Sequence, residues 1–134
     1  MIVVDENLHD HRIIDAIAAW YPGRVVSIKS LRPRSIIKDD AIPALLRQVI
    51  QPTFVTINVA DFWRKIQPHG NYCVVNVALP KERIRETPGL LFRLLRLPEF
   101  RSKASRMGRV IRITPVGVEY YESDLRVKSA TLPD

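Results

Sequence analysis

The chain has 134 residues, which suits one domain of ordinary size and is too short for two, and its 46% hydrophobic and 26% charged composition is globular rather than disordered or fibrous. A single cysteine, Cys73, excludes an internal disulfide, and no Cys/His cluster has zinc-site spacing. Three acids among the first ten residues and the lack of an apolar run of about 18 residues speak against a signal peptide and a spanning helix, so a cytoplasmic protein without membrane contact is expected. The net charge of +7 is localised: residues 81–112 hold ten Lys/Arg against three acids, whereas the rest of the chain balances eleven against eleven, so this segment points to a polyanionic partner or, as the plainer alternative, to a solvated helix face.

Ile2-Val3-Val4 is a β-branched run that stops at Asp5-Glu6-Asn7, the pattern of a buried strand delivering polar groups at its carboxyl end. Leu8 to Trp20 has near-helical apolar spacing and is stopped by Tyr21-Pro22-Gly23. Arg24 to Lys29 predicts a second strand and Arg32-Pro33-Arg34-Ser35 a loop. Lys38-Asp39-Asp40 then opens a helix whose apolar face is Ile42, Leu45, Leu46, Val49 and Ile50, with Pro43 tolerated in its first turn. Thr53 to Ile57 and Tyr72 to Leu79 predict the third and fourth strands, with Asn58-Val59-Ala60-Asp61-Phe62-Trp63 following the third. Pro88 to Leu97 predicts a helix, Glu99 to Met107 its continuation, and residues 109–123 a hairpin around Pro115-Val116-Gly117. The last ten residues read as loose. Alternation of short strands with helices implies an α/β class, with parallel pairing, right-handed crossovers and helices covering the sheet.

In an open α/β sheet, ligands sit beyond the carboxyl ends of the strands, because loops and helix starts converge there. Asp5 and Glu6 end the first strand, Asp61 follows the third, and Asp39-Asp40 start the helix that leads into it. Carboxylates gathered at one edge raise one another's pKa, a cost that a divalent cation offsets, and oxygen donors suit Mg²⁺ or Mn²⁺. Such an ion polarises a phosphodiester and activates water, the chemistry of nucleases. Asp5 and Asp39 also occupy positions where a helix N-cap would serve.

The residues VVDENL at the start, Asp39 three residues before Ile42 in a mid-chain helix, and TINVADFW after the third strand resemble the PIN-like nucleases, in particular small members allied to VapC-type toxins. The likeness covers roughly residues 1–80. It implies a three-layer α/β/α fold with a central, mostly parallel sheet plus a C-terminal helix and β-hairpin, in a single domain 1–134 made of an acidic-site core 1–80, a basic helical segment 81–112 and the hairpin 109–123. It implies Asp5, Asp39 and Asp61 as catalytic metal ligands for Mg²⁺ or Mn²⁺, with Asp40 and Asn58 contributing and Glu6, Asn7 and Thr56 beside them. It further implies a metal-dependent endoribonuclease acting on RNA, and, as in many members, the toxin half of a pair with an antitoxin protein as partner; a homodimer is a separate candidate. The family pattern Thr-x-Asp-x-Asp-Phe departs here to Thr56-Ile57-Asn58-Val59-Ala60-Asp61-Phe62, which replaces the first acid by an amide and adds a residue before the second.

Candidate contacts to nucleic acid are Arg32 and Arg34 in the loop, Arg64 and Lys65 beside Trp63, and Arg93 with Arg96 on one helix face. His9 and His11, two apart on a helix, point away from each other, Cys73 reads as an inert buried thiol, and Trp20 and Phe62 read as core. Two other functions remain open. A non-catalytic RNA- or protein-binding module would account for Asn58. A phosphoacceptor receiver-like domain would use Asp61, although the lysine such domains need on a fifth strand has no clear counterpart, Lys81 following a proline after the fourth. A phosphatase of the haloacid-dehalogenase kind is weaker still, because Asn7 stands where it needs an acid.

Overall fold

The computed structural model describes residues 1–31 and 37–132. Seven strands lie among them: β1 (Ile2–Val4), β2 (Val25–Ser27), β3 (Thr53–Thr56), β4 (Cys73–Val77), β5 (Val110–Thr114), β6 (Gly117–Tyr121) and β7 (Lys128–Thr131). They form one sheet in the order β2-β1-β3-β4-β5-β6-β7. The first five run parallel and the last two antiparallel. The helices are α1 (His11–Ala18), α2 (Ile28–Leu31), α3 (Ile42–Arg47), α4 (Val59–Phe62), α5 (Thr87–Leu94) and α6 (Lys103–Arg106).

Successive side chains of a strand point to opposite faces, so each central strand feeds two cores. Val4, Val55, Val75 and Ile111 pack with Ile13 and Ile17 of α1 and with Leu90, Leu91 and Leu94 of α5. Val3, Phe54, Val74 and Val110 pack on the other face with Ile42 and Leu46 of α3 and Phe62 of α4. Both faces of the parallel strands are thus covered, which is why they read as continuous apolar runs. Each fully buried side chain of this size contributes about 1.5–3 kcal/mol.

The chain steps from β1 outward to β2, then returns past β1 to β3, so the direction of winding reverses between β1 and β3. That reversal opens a crevice at the carboxyl ends of these two strands. The steps from β3 to β4 and from β4 to β5 go the same way across the sheet, yet the first passes over the α4 face and the second, through α5, over the α1 face. The two crossovers therefore have opposite hands, and uniform right-handed winding does not hold here. This detour sets α5 against α1.

Three expectations need correction. The helix over Leu8 to Trp20 is split: Asp5 caps a 3-10 turn at Glu6–Leu8, and Asp10, whose side chain accepts from the Arg12 N–H, caps a new start at His11. The segment Glu99 to Met107 does not continue α5, because Pro98 intervenes and Ser102 caps α6 separately. The final residues are not loose: β7 pairs with β6, and Leu132 is buried. The hairpin expected over 109–123 does form, as β5 and β6, and β5 is at the same time the fifth parallel strand of the sheet that β6 and β7 extend. Among the described residues no helix is long and apolar enough to cross a membrane.

Candidate functional site

Asp5 is the first residue beyond β1 and is only 5% exposed. Its Oδ2 accepts from Thr56 Oγ1 at 2.7 Å and its Oδ1 from the Glu6 N–H at 2.8 Å. Thr56, the last residue of β3, accepts in turn from the Asn58 N–H at 3.0 Å. One hydroxyl thus ties the ends of two neighbouring strands together. Burial raises the Asp5 pKa above its ordinary value, the bonds from Thr56 and Glu6 oppose the rise, and the Glu6 charge adds to it.

Asn58 and Asp61 belong to the start of α4, and Asp39 to a 3-10 turn at Asp39–Ala41 that leads into α3. The Asn58 amide donates to Asp61 Oδ2 at 2.6 Å and to Asp39 Oδ2 at 3.2 Å. Asp39 is no N-cap: Lys38 holds that position, and no side chain caps the turn. Partial burial, the touching carboxyl of Asp61 and the fields of Asp5, Asp61 and Glu6 push the Asp39 pKa up to about 6. Asp5 does cap a turn, so for it the structural and the electrostatic roles coexist.

Two cavities flank this group. A niche of about 410 Å³ is lined by Asp5, Glu6, Asn7, Lys29, Asp39 and Asn58. A larger cleft of about 650 Å³ is lined by Asp39, Asp40 and Asp61 together with Arg47, Lys65 and His69. Asp40 therefore faces the cleft and not the niche. His69 stacks on Tyr72, with ring centres 5.4 Å apart and planes inclined by 17°.

Among the described residues no three His, Cys, Asp or Glu side chains form a ready metal-binding group. What the site offers is a carboxylate pair with an amide between them and a third carboxylate in electrostatic reach. Such an all-oxygen set does not suit zinc, but it fits a hydrated Mg²⁺ or Mn²⁺, which takes one or two carboxylates and keeps several waters. Asn58 can present either Nδ2 or Oδ1, so its amide serves as a donor to the acids or as a ligand.

The basic candidates separate. Lys65 lines the cleft. Arg64, in a left-handed backbone conformation at φ 65°, instead donates to Leu125 O at 3.1 Å and lies 5.4 Å over the Tyr121 ring. Trp63 packs on Tyr121 and the core. Arg93 lies in the last turn of α5, whereas Arg96, beyond the helix, lines a cavity at the opposite edge of the sheet. Arg32 and Arg34 lie outside the described residues. Within 81–112, Arg83, Arg109 and Arg112 are paired with Glu86, Glu122 and Glu119, so part of the excess charge is neutralised internally. Cys73 is fully buried with its pKa pushed up to about 12 by desolvation, an inert thiol.

Sequence reasoning missed Lys29, Arg47, His69 and Asn76. Lys29 follows β2 at the same edge as Asp5, a position that strand ends alone signal. Arg47 and His69 come together only through folding. Asn76 stands beside Thr56 in the sheet register, donates to Ile111 O at 3.0 Å, and its buried Oδ1 has no partner among the described residues. Compared with protein-family models, with curated proteins and with solved structures, the chain has no match in any of the three.

Proposed function

We propose that the chain is a divalent-metal-dependent endoribonuclease of the PIN-like kind. The observation that carries this reading is the pairing of Asp39 and Asp61 through Asn58 at the crevice between β1 and β3, with Asp5 in electrostatic reach and Asp39 pushed to about 6 by partial burial and by these acids. A cluster that repels itself in this way is stabilised by a cation. Asp39 and Asp61 would hold a Mg²⁺ or Mn²⁺ ion, which supplies charge stabilisation and an activated water when bound. Thr56 fixes Asp5. Arg47 and Lys65 hold the phosphate backbone across the cleft, and the stacked His69–Tyr72 pair offers a platform for a base. A toxin role, if RNA is the substrate, rests on this same activity.

The test is cleavage of single-stranded RNA in millimolar Mg²⁺ or Mn²⁺. Wild type should cleave and lose activity in EDTA, while Asp39→Asn and Asp61→Asn should each fall by about a hundredfold or more. Equal cleavage by wild type and Asp39→Asn overturns the assignment.

One observation favours a second reading. The order β2-β1-β3-β4-β5 is a doubly wound order that phosphoacceptor receiver domains share, and Asp61 lies just beyond β3. Against it, β5 ends on Thr114 with no lysine there, and Asp61 is held by Asn58 at 2.6 Å. Acid-labile phosphate on Asp61 after incubation with a small acyl phosphate would establish the receiver reading.

A further inference from the structure

At the opposite edge of the sheet, where β1, β2 and β3 begin, lies a further cavity, of about 520 Å³, that the nuclease reading does not use. One wall is aromatic. Trp20, beyond the end of α1, meets Phe92 of α5 with ring centres 5.2 Å apart and Tyr21 at 6.2 Å, and Phe92 remains 37% exposed. Gly23 permits this arrangement, since a Cβ there would stand 2.8 Å from the Tyr21 ring. The other wall is cationic. Arg96 lies 5.3 Å over Phe92, Arg101 and Lys103 are exposed at the rim, and Arg106 forms the floor.

Arg106 is the informative residue. It is 2% exposed, and its guanidinium donates only to neutral acceptors: Thr53 Oγ1 at 3.1 Å and the carbonyls of Phe100 and Arg101 at 3.0 Å each. Among the described residues none of Arg96, Arg101, Lys103 and Arg106 pairs with a carboxylate, in contrast to Arg83, Arg109 and Arg112. Buried charge is ordinarily paired, so Arg106, buried without a carboxylate partner among the described residues, together with the exposed Arg96, Arg101 and Lys103 on the same cavity, favours an external anion. The adjoining aromatic wall calls for a flat, polarisable ring on the same molecule.

We propose that this cavity binds a nucleotide, with the base against Trp20 and Tyr21 and the phosphate on Arg101, Lys103 and Arg106. Its volume falls within the range of about 300–1,000 Å³ typical of small-ligand pockets. The same chemistry is presented by a free mononucleotide and by the 5′-phosphorylated end of a single strand. The two sources share the site and differ in affinity.

The experiment titrates the full chain, in EDTA so that the acidic edge takes no part, with AMP, adenosine, inorganic phosphate and a 5′-phosphorylated adenine tetranucleotide. Binding is followed by calorimetry and by Trp20 fluorescence. AMP or the tetranucleotide should bind at least tenfold more tightly than adenosine or phosphate, and the tighter of the two names the source. The double variant Arg101→Glu/Lys103→Glu, altered only at exposed positions, should lose at least tenfold in affinity while its circular dichroism and melting temperature stay at wild-type values. Trp20→Leu should abolish the fluorescence change. No binding of either nucleotide up to millimolar concentration, affinity undiminished in the charge-reversed variant, or phosphate alone binding as tightly as AMP each overturns the proposal.

Discussion

The two edges of the parallel sheet carry opposite chemistry. At the carboxyl edge, Asn58 bridges the carboxylates of Asp39 and Asp61, and Asp5 lies within electrostatic reach of Asp39. At the amino edge, Arg96, Arg101, Lys103 and Arg106 line a partly aromatic cavity with no carboxylate among the described residues to pair with them. Only the length of a strand separates them, roughly 13 Å for four residues. Backbone direction explains the first: polar residues placed directly after short apolar strands converge where winding reverses. The second depends on a detour of the chain, the β4-to-β5 crossover that carries α5 to the α1 face and brings Phe92 to Trp20.

If the edges are functionally separate, the largest expected effect is on RNA cleavage, and it is one-sided. Asp61→Asn should reduce the rate by about a hundredfold or more, whereas Arg101→Glu/Lys103→Glu should leave it within twofold under saturating RNA; comparable losses in both would merge the edges into one site. Next comes the stability of the amino edge. Arg106→Leu strands the Thr53 hydroxyl and two carbonyls in the interior and should cost about 2–4 kcal/mol in urea unfolding. An unchanged midpoint would mean that water replaces the guanidinium.

A smaller cost belongs to the carboxyl edge. Thr56→Val removes the hydroxyl that donates to the buried Asp5 carboxylate and should destabilise by about 1–3 kcal/mol, again read from urea unfolding. The smallest effect is a pH dependence. Asp39 has a folded pKa near 6, above the 3.8 of an unperturbed aspartate, so between these values the folded chain binds more protons than the unfolded one. Its contribution therefore becomes unfavourable as pH rises through about 4 to 6 and stays so above. Asp39→Asn should raise the melting temperature by a few degrees at pH 7 and by nothing at pH 3.5, the modest size reflecting an exposed side chain screened by solvent. Millimolar Mg²⁺ should bring the wild type toward the variant at pH 7 and leave the variant unmoved.

Much of the fold is legible in the residues. The strands at Ile2, Val25, Thr53, Cys73 and Val110 announce themselves as β-branched runs, because strands covered on both faces have no polar alternation to obscure them. β7 does not. Lys128-Ser129-Ala130-Thr131 lies at the sheet's edge with little apolar content, and only its pairing with β6 makes it a strand. The acids of the candidate site could be located from strand ends, since position after a parallel strand fixes the edge. Their mutual contacts could not, because Asn58 between Asp39 and Asp61 depends on how the turn before α3 docks. Arg106 was invisible for a further reason: its burial follows from the hand of one crossover, which local pattern does not encode.

The bond from Thr56 to Asp5 also couples chemistry to the order in which the molecule assembles. β1 lies between β2 and β3, so both of its neighbours come from later in the chain, the second about fifty residues on. Closing so distant a pairing is slow relative to forming a local turn. Even with β2 in place on one side, the other side of the earliest-made strand must wait until the third arrives, and only then does Asp5 acquire its hydroxyl partner. A nascent or partly folded molecule accordingly lacks the bond that holds Asp5 in place, and under the proposed nuclease reading its activity is withheld until β3 has joined the sheet.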